Sequence, residues 1–369
     1  MSQGIKRGLS ASVSAAALIF ATGAATAQED TLNVYNWSDY IAADTVPKFE
    51  EEFGVSVNYD VYDSNEVLEG TLMAGGTGYD VVVPSGSFFQ RQIEAGIYQK
   101  LDKSKLDNWD HLDPQILEQV AQYDPGNEYG VPYMWGTTGI GYNVAMVEER
   151  LGADADFDTW DLIFDPETAA KLADCGVTLL DAPTEVFNTA RQYLGLDPLS
   201  TDEDDLQAAV DLIMEIRPHI RYFHSSQYIN DLANGEVCVS MGWSGDVFIA
   251  ADRAEAGERD VEVAYTIPRE GATIWFDIMA IPEGAPHPDN AHKWLNYQMR
   301  PEVAAENVNY VWYATANQDA LPMIDDDIKN DPAIYPSEEV MESLFVDLPQ
   351  EPRFARVQTR AWTRVKTGQ

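Results

Sequence analysis

Three short stretches set a tryptophan close to a carboxylate: Trp37-Ser38-Asp39-Tyr40, Trp243-Ser244-Gly245-Asp246 and Trp275-Phe276-Asp277. An indole face attracts a cation, and a carboxylate neutralises it through charge-assisted hydrogen bonds. One such stretch reads equally well as a helix cap beside a surface aromatic. Three of them, with Ser85 and Glu185 at two further strand ends, read as a site for desolvated cations. An alkyl diamine needs this chemistry. Each ammonium must meet a carboxylate, because an unpaired buried charge costs several kcal/mol. The methylenes between them gain roughly 0.8 kcal/mol each when buried against ring faces.

Other chemistries lack a pattern. Asp154-Ala-Asp156-Phe-Asp158 imitates the start of a calcium loop, but the sixth position is Thr159 and the twelfth Asp165, where that loop needs Gly and Glu. His111, His219, His224, His287 and His292 show no metal-ligand spacing. No P-loop, G-x-S-x-G or G-x-G-x-x-G occurs. No metal, cofactor or catalytic residue is therefore expected. A carboxylate-dependent secreted hydrolase is the alternative from another class, since 62 acids supply chance carboxylate pairs but no motif.

The elements that must position these residues alternate. Leu32 to Trp37 reads as a strand, with Ser38 or Asp39 capping a helix that carries Val46, Phe49 and Phe53. A strand over 55–61 follows. The helix over 67–74 has a capping-box-like start at Asp63-Ser64-Asn65-Glu66. The apolar run 79–83 reads as a buried strand ending on Pro84-Ser85-Gly86-Ser87, and 88–95 as a helix. The extended, glycine-punctuated segment 133–143 suits a hinge between lobes. A second strand–helix series begins at 177, with further strands at 261–267 and 273–281 and helices at 291–299 and 301–307. This rhythm predicts an α/β fold with mainly parallel sheets. Ligands of such sheets bind beyond the carboxyl ends of the strands.

The chain has 369 residues, enough for two cores, and a net charge of −39. That charge repels nucleic acid and anionic membrane surfaces and attracts cations. Lys6-Arg7, an Ala-rich apolar stretch over 9–23 and Ala25-Thr26-Ala27 read as a cleavable signal peptide, residues 1–27, directing export. No later run approaches the length of a membrane span, so no membrane insertion is expected. In an oxidising compartment the two cysteines, Cys175 and Cys238, read as a disulfide. Arg353, Arg356, Arg360 and Arg364 share one helical face, which predicts a C-terminal helix docked on an acidic surface of the same chain.

The chain also resembles a known family. Asn36-Trp-Ser-Asp-Tyr-Ile, Tyr59-Asp-Val-Tyr-Asp-Ser-Asn-Glu-Val-Leu-Glu-Gly, Pro132-Tyr-Met-Trp-Gly-Thr-Thr-Gly-Ile-Gly-Tyr-Asn, Arg221-Tyr-Phe-His-Ser-Ser-Gln-Tyr-Ile-Asn-Asp-Leu-Ala-Asn-Gly and Thr359-Arg-Ala-Trp-Thr-Arg-Val-Lys are similar to segments of the periplasmic putrescine/spermidine-binding proteins, most of all the putrescine type. The resemblance implies a two-lobe receptor of the periplasmic-binding-protein fold, with ligand in the inter-lobe cleft. It implies delivery of a polyamine, putrescine or spermidine, to the membrane permease of an ABC importer, by a monomer. Lobe one is expected over 28–135 and about 256–312, lobe two over 136–255 and about 313–369. A Cys175–Cys238 bridge is implied as well. Matching positions imply that Trp37, Tyr40, Trp243 and Tyr313 box the alkyl chain. Ser38, Asp39, Ser85, Glu185, Ser226, Asp246 and Asp277 would hold the amines, directly or through water. Ser87 and Ala182 look like the putrescine type. Trp275 stands where that type resembles a Phe and the spermidine type a Trp, and Asp347 replaces an apolar residue at the pocket rim.

Overall fold

The computed structural model describes Met1 and residues 30–368, so the expected signal peptide lies outside the described residues. Eleven strands form one continuous sheet: β1 (Thr31–Trp37), β2 (Ser56–Tyr62), β3 (Val81–Val82), β4 (Gly130–Asn143), β5 (Val177–Leu179), β6 (Ile220–Phe223), β7 (Val239–Trp243), β8 (Val263–Thr266), β9 (Thr273–Ala280), β10 (Ala314–Thr315) and β11 (Phe345–Val346). The main order is β2-β1-β3-β9-β4-β7-β5-β6. Parallel pairs lie at both flanks, β2/β1/β3 on one side and β7/β5/β6 on the other. The two middle strands, β9 and β4, run antiparallel to each other and to their outer neighbours.

Strand β4 belongs to both halves. Between Gly130 and Thr137 it pairs with β9, and from Thr138 onward it pairs with β7 and β8. The hinge segment read from its glycines is thus one long strand shared by the two halves of the sheet. Strand pairing departs from the expected lobe ranges at three points. β8 pairs with the second half, where residues beyond 256 are expected in lobe one. β10 and β11 pair with β4 and β9 on the first half, where residues beyond 313 are expected in lobe two.

Most other elements lie near their expected places, with two corrections of detail. The first helix is Thr45–Phe53 and starts after Asp44, not at Ser38 or Asp39. Residues 38–40 instead form a turn, with Asp39 in the left-handed region at φ +54°. Ser64 caps the next helix (Asn65–Met73) as its position suggests, accepting from the Val67 amide. The C-terminal helix Pro352–Thr367 forms, but it does not dock through its arginines. Phe354, Ala361, Trp362 and Val365 are its buried side, packed toward the helices Pro183–Tyr193 and Glu203–Ile216, while Arg353, Arg356, Arg360 and Arg364 stay exposed. Burying an apolar stripe is worth more than ion pairs in water. The contact of Arg353 with Glu203, 3.6 Å long and open to solvent, adds little.

Cys175 and Cys238 are bonded, with their Cα atoms 5.5 Å apart. The bridge clamps the loop before β5 to the start of β7. It closes a 63-residue separation, worth about 4 kcal/mol on the loop-entropy account. Thiol titration of the exported protein, unfolded without reductant, is expected to find no free thiol. Two free thiols would refute the bridge.

Candidate functional site

The carboxyl ends of the parallel strands from both halves meet across a cleft, as strand-end placement predicts. Trp37 ends β1, with Ser38 and Tyr40 just after it, Ser85 follows β3, and Trp275 and Asp277 lie on β9. The second half contributes Glu185, in the first turn of Pro183–Tyr193, Trp243, which ends β7, and Asp246, in the first turn of Ser244–Ala256. Tyr313 joins them from beyond the helix Pro301–Val311. These ten residues line one cavity of about 660 Å³.

Its walls are aromatic rings held edge to face. Trp37 meets Trp243 with centroids 5.4 Å apart, Tyr40 meets Tyr313 at 5.0 Å, and Trp275 meets Tyr313 at 5.4 Å. The Trp37 indole is locked by donating to the Val83 carbonyl at 2.8 Å. Two glycines permit the approach. A Cβ on Gly136 would lie 2.8 Å from the Trp275 ring, and one on Gly245 would overlap the Tyr313 ring. The motif Trp243-Ser244-Gly245-Asp246 therefore needs its glycine to admit a tyrosine 68 residues later.

Three carboxylates aim into this box, each held by neutral donors. Ser85 Oγ donates to Asp277 at 2.6 Å, and Asn65 orients that serine through two 3.0 Å contacts. Tyr313 and Tyr228 donate to the two oxygens of Asp246 at 2.6 and 2.8 Å. Thr138 and the Trp243 indole donate to Glu185. Among the described residues, none of the three forms an ion pair with a lysine or arginine. Burial pushes Asp246 and Asp277 up to about 7 and Glu185 to about 8. Asp277 and Asp246 both raise the Tyr40 hydroxyl, so these three groups share one end of the cavity. Asp347 and Glu66 both raise Glu185, so these acids share the other. Among the described residues, the buried Trp275 indole N–H has no hydrogen-bond partner.

Two expected site residues lie elsewhere. Asp39 does not line the cavity. Its turn aims the side chain, 37% exposed, at Arg253 across the cleft, 2.5 Å away. Ser226 starts the helix Gln227–Ala233, and its amide donates to His224. Ser87 and Asp347 do line the cavity, and Ala182 lines a side recess. Asn65, Phe88, Tyr123 and Phe276 complete the wall unannounced by the sequence reading. Asn65 and Glu66 were open to detection: their stretch reads as a helix cap, and the same cap lies at the cleft. Tyr228 and Thr138 gave no signal, since each acts only through the acid it contacts.

Among the described residues, no helix is long and apolar enough to cross a membrane, and no cluster of His, Cys, Asp or Glu could hold a metal ion. Comparison with known proteins agrees with the geometry. The family model "Bacterial extracellular solute-binding protein" matches residues 44–336. The chain is 53% identical to the "Putrescine-binding periplasmic protein PotF" of Escherichia coli, covering 98% of each. It is 51% identical to the "Putrescine-binding periplasmic protein SpuD" of Pseudomonas aeruginosa, covering 94% of each. Among solved structures, a "Putative spermidine/putrescine ABC transporter from Listeria monocytogenes" superposes with a TM-score of 0.83 at 34% identity, covering 92% of this chain and all of that one. These are two-domain solute-binding proteins, not enzymes, so the hydrolase alternative falls away. Two α/β halves joined by shared strands, with a cation-seeking cleft between them, go with this kinship: the chain belongs to the bacterial extracellular solute-binding protein family.

Proposed function

We propose that the protein captures a polyamine in this cleft, in the periplasm, and presents it unchanged to the membrane subunits of an ABC importer. One observation carries the reading. Three carboxylates lie in an aromatic box, held by neutral donors, and among the described residues none of them forms an ion pair with a lysine or arginine. A dication supplies the missing charge at both ends, and its methylenes cover the rings. Putrescine fits this account best, with one ammonium among Asp246, Asp277 and Tyr40 and the other at Glu185. The names of the relatives support the same ligand class and compartment. The strand pairing supports lobes divided within β4 and before β9, with the Asp39–Arg253 pair bridging them. Calorimetry of the mature chain with putrescine, cadaverine, spermidine and spermine tests the reading. Binding of at least one below the millimolar range is expected, and no heat with any of the four overturns it.

Ligand choice within the class turns on Trp275. Its indole is a broader cation–π surface than a phenyl ring. A longer polyamine uses that surface fully and a four-carbon diamine only in part. Trp275→Phe is therefore expected to raise the ratio of putrescine to spermidine affinity by about fivefold, the ~1 kcal/mol scale of one stacked cation. Titration of both ligands into both variants decides it. A shift toward spermidine would make Trp275 a steric stop instead.

A further inference from the structure

Arg353, Arg356, Arg360 and Arg364 run along one side of the C-terminal helix Pro352–Thr367, and all four are exposed. With Lys366 they are five of the 23 basic residues of a chain whose net charge is −39. The fold does not use them. The helix is held by its opposite side, where Phe354, Trp362 and Val365 are buried, and by polar anchors. The Trp362 indole and Lys366 donate to Asp181 at 2.7 and 2.9 Å, and Gln358 donates to Thr184 Oγ1 at 3.0 Å. Arg217 donates to the Val365 and Lys366 carbonyls at 3.1 and 3.0 Å. Among the described residues the stripe has partners only at its ends: Glu203 lies 3.6 Å from Arg353 and Gln207 lies 3.5 Å from Arg364, while Arg356 and Arg360 form no ion pair or hydrogen bond through their side chains. Arginines four residues apart repel one another along a helix, so the spacing Arg356, Arg360, Arg364 works against the helix that carries it.

The anchors set this helix at the rim of the cleft. Asp181 lies just after β5, and Thr184, which lines the side recess, stands next to Glu185 in the first turn of Pro183–Tyr193. A partner that grips the arginine face is therefore one contact away from the loop that leads to a carboxylate of the site. We infer that this face docks on an acidic patch of the importer's membrane subunits, with Arg356 and Arg360 at its centre. The inference rests on the reading of the protein as an importer's receptor. Charge complementarity selects the partner. Guanidinium groups pair with carboxylates and phosphates in a planar, two-pronged geometry. An anionic lipid surface spreads its charge far beyond the stripe, so it repels the remaining acids of a −39 chain while it attracts four arginines. A second copy of the chain meets the same repulsion. A confined acidic patch on a protein matches the stripe alone. Exposed interface charges act mainly on encounter and orientation, so the stripe turns the rim of the second half toward the membrane subunits on approach.

The test pairs two readouts on the mature protein. One is calorimetry with putrescine. The other is uptake of radiolabelled putrescine by spheroplasts of the parent bacterium that lack their own copy of the protein and receive it in purified form. The variants are Arg356→Glu/Arg360→Glu and Arg356→Gln/Arg360→Gln, with the melting of each as a check on folding. Both are expected to bind putrescine within twofold of wild type. The first is expected to raise the protein concentration that gives half-maximal uptake by about tenfold or more, and the second by a smaller factor, because losing a rim charge slows encounter. Added salt should weaken wild-type uptake more than that of Arg356→Gln/Arg360→Gln. A half-maximal concentration within twofold of wild type in both variants overturns the docking face. Arginine-dependent sedimentation with phosphatidylglycerol vesicles, absent with phosphatidylcholine vesicles, would overturn the acidic protein patch in favour of the lipid surface. If wild type binds no putrescine in the calorimeter, the polyamine reading fails, and the inference with it. If wild type binds putrescine but supports no uptake, delivery to the importer fails, and the docking face with it.

Discussion

Asp246→Asn is expected to weaken diamine binding by about 2 kcal/mol or more, roughly thirtyfold, because it leaves a buried ammonium without its partner. The aspartate is 5% exposed and receives hydrogen bonds from Tyr228 and Tyr313 on its two oxygens. Asparagine keeps the shape but places an amide NH₂ against one of the two tyrosine hydroxyls, so one donated hydrogen bond goes as well. The ligand-free protein should respond differently. There the carboxylate is desolvated and, among the described residues, forms no direct ion pair, a state that costs stability. Removing its charge should leave the melting temperature of the ligand-free protein level or higher. Binding and stability should therefore move apart in one variant. A dissociation constant within threefold of wild type would remove Asp246 from the site. A large fall in the melting temperature would mean that the tyrosine hydrogen bonds outweigh the buried charge.

The residues that betray the site in the sequence do so because strand ends are local. Trp37, Ser85, Trp243 and Asp246 each end or follow a strand that periodicity reveals, and ligands of open α/β sheets bind there. What periodicity cannot reveal is pairing across the chain. Asp39 has the composition of a ligand residue, but a left-handed turn sends it to Arg253, 214 residues away. Asp347 stands just beyond a two-residue strand that only its pairing with β9 makes recognisable. The placement of β8 on the second half is hidden for the same reason, since its partner in β4 lies over a hundred residues earlier. The C-terminal helix shows a different limit. Its apolar stripe of Phe354, Ala361, Trp362 and Val365 was as legible as its arginines, and burial, not charge, decides which side docks. The family resemblance supplied what spacing lacked, namely Tyr313 as part of the box and the two-lobe arrangement.

Putrescine affinity is expected to fall by on the order of a thousandfold between pH 8 and pH 6, because the cleft must be ionised to hold its ligand. In the ligand-free protein burial raises Asp246 and Asp277 to about 7 and Glu185 to about 8, against ordinary carboxyl values near 4. At pH 6 these groups are largely protonated, and a neutral carboxyl cannot pair with an ammonium. Binding must then expel protons, and each group held mainly protonated costs up to tenfold in affinity per pH unit below its own value. Above pH 8 the acids are ionised and the dependence flattens until the amines begin to lose their charge. Folding stability runs the opposite way. A carboxyl whose value is raised by folding contributes stability that is complete below its unfolded value near 4 and is lost as pH rises through 7 to 8. The ligand-free protein is thus penalised by these groups at pH 8, where bound putrescine restores the balance. The rise in melting temperature on adding saturating putrescine should accordingly be larger at pH 8 than at pH 6. Calorimetry in buffers of different ionisation enthalpy should also register proton release near pH 7. A pH-independent affinity with no proton release would mean that the three carboxylates are ionised before the ligand arrives.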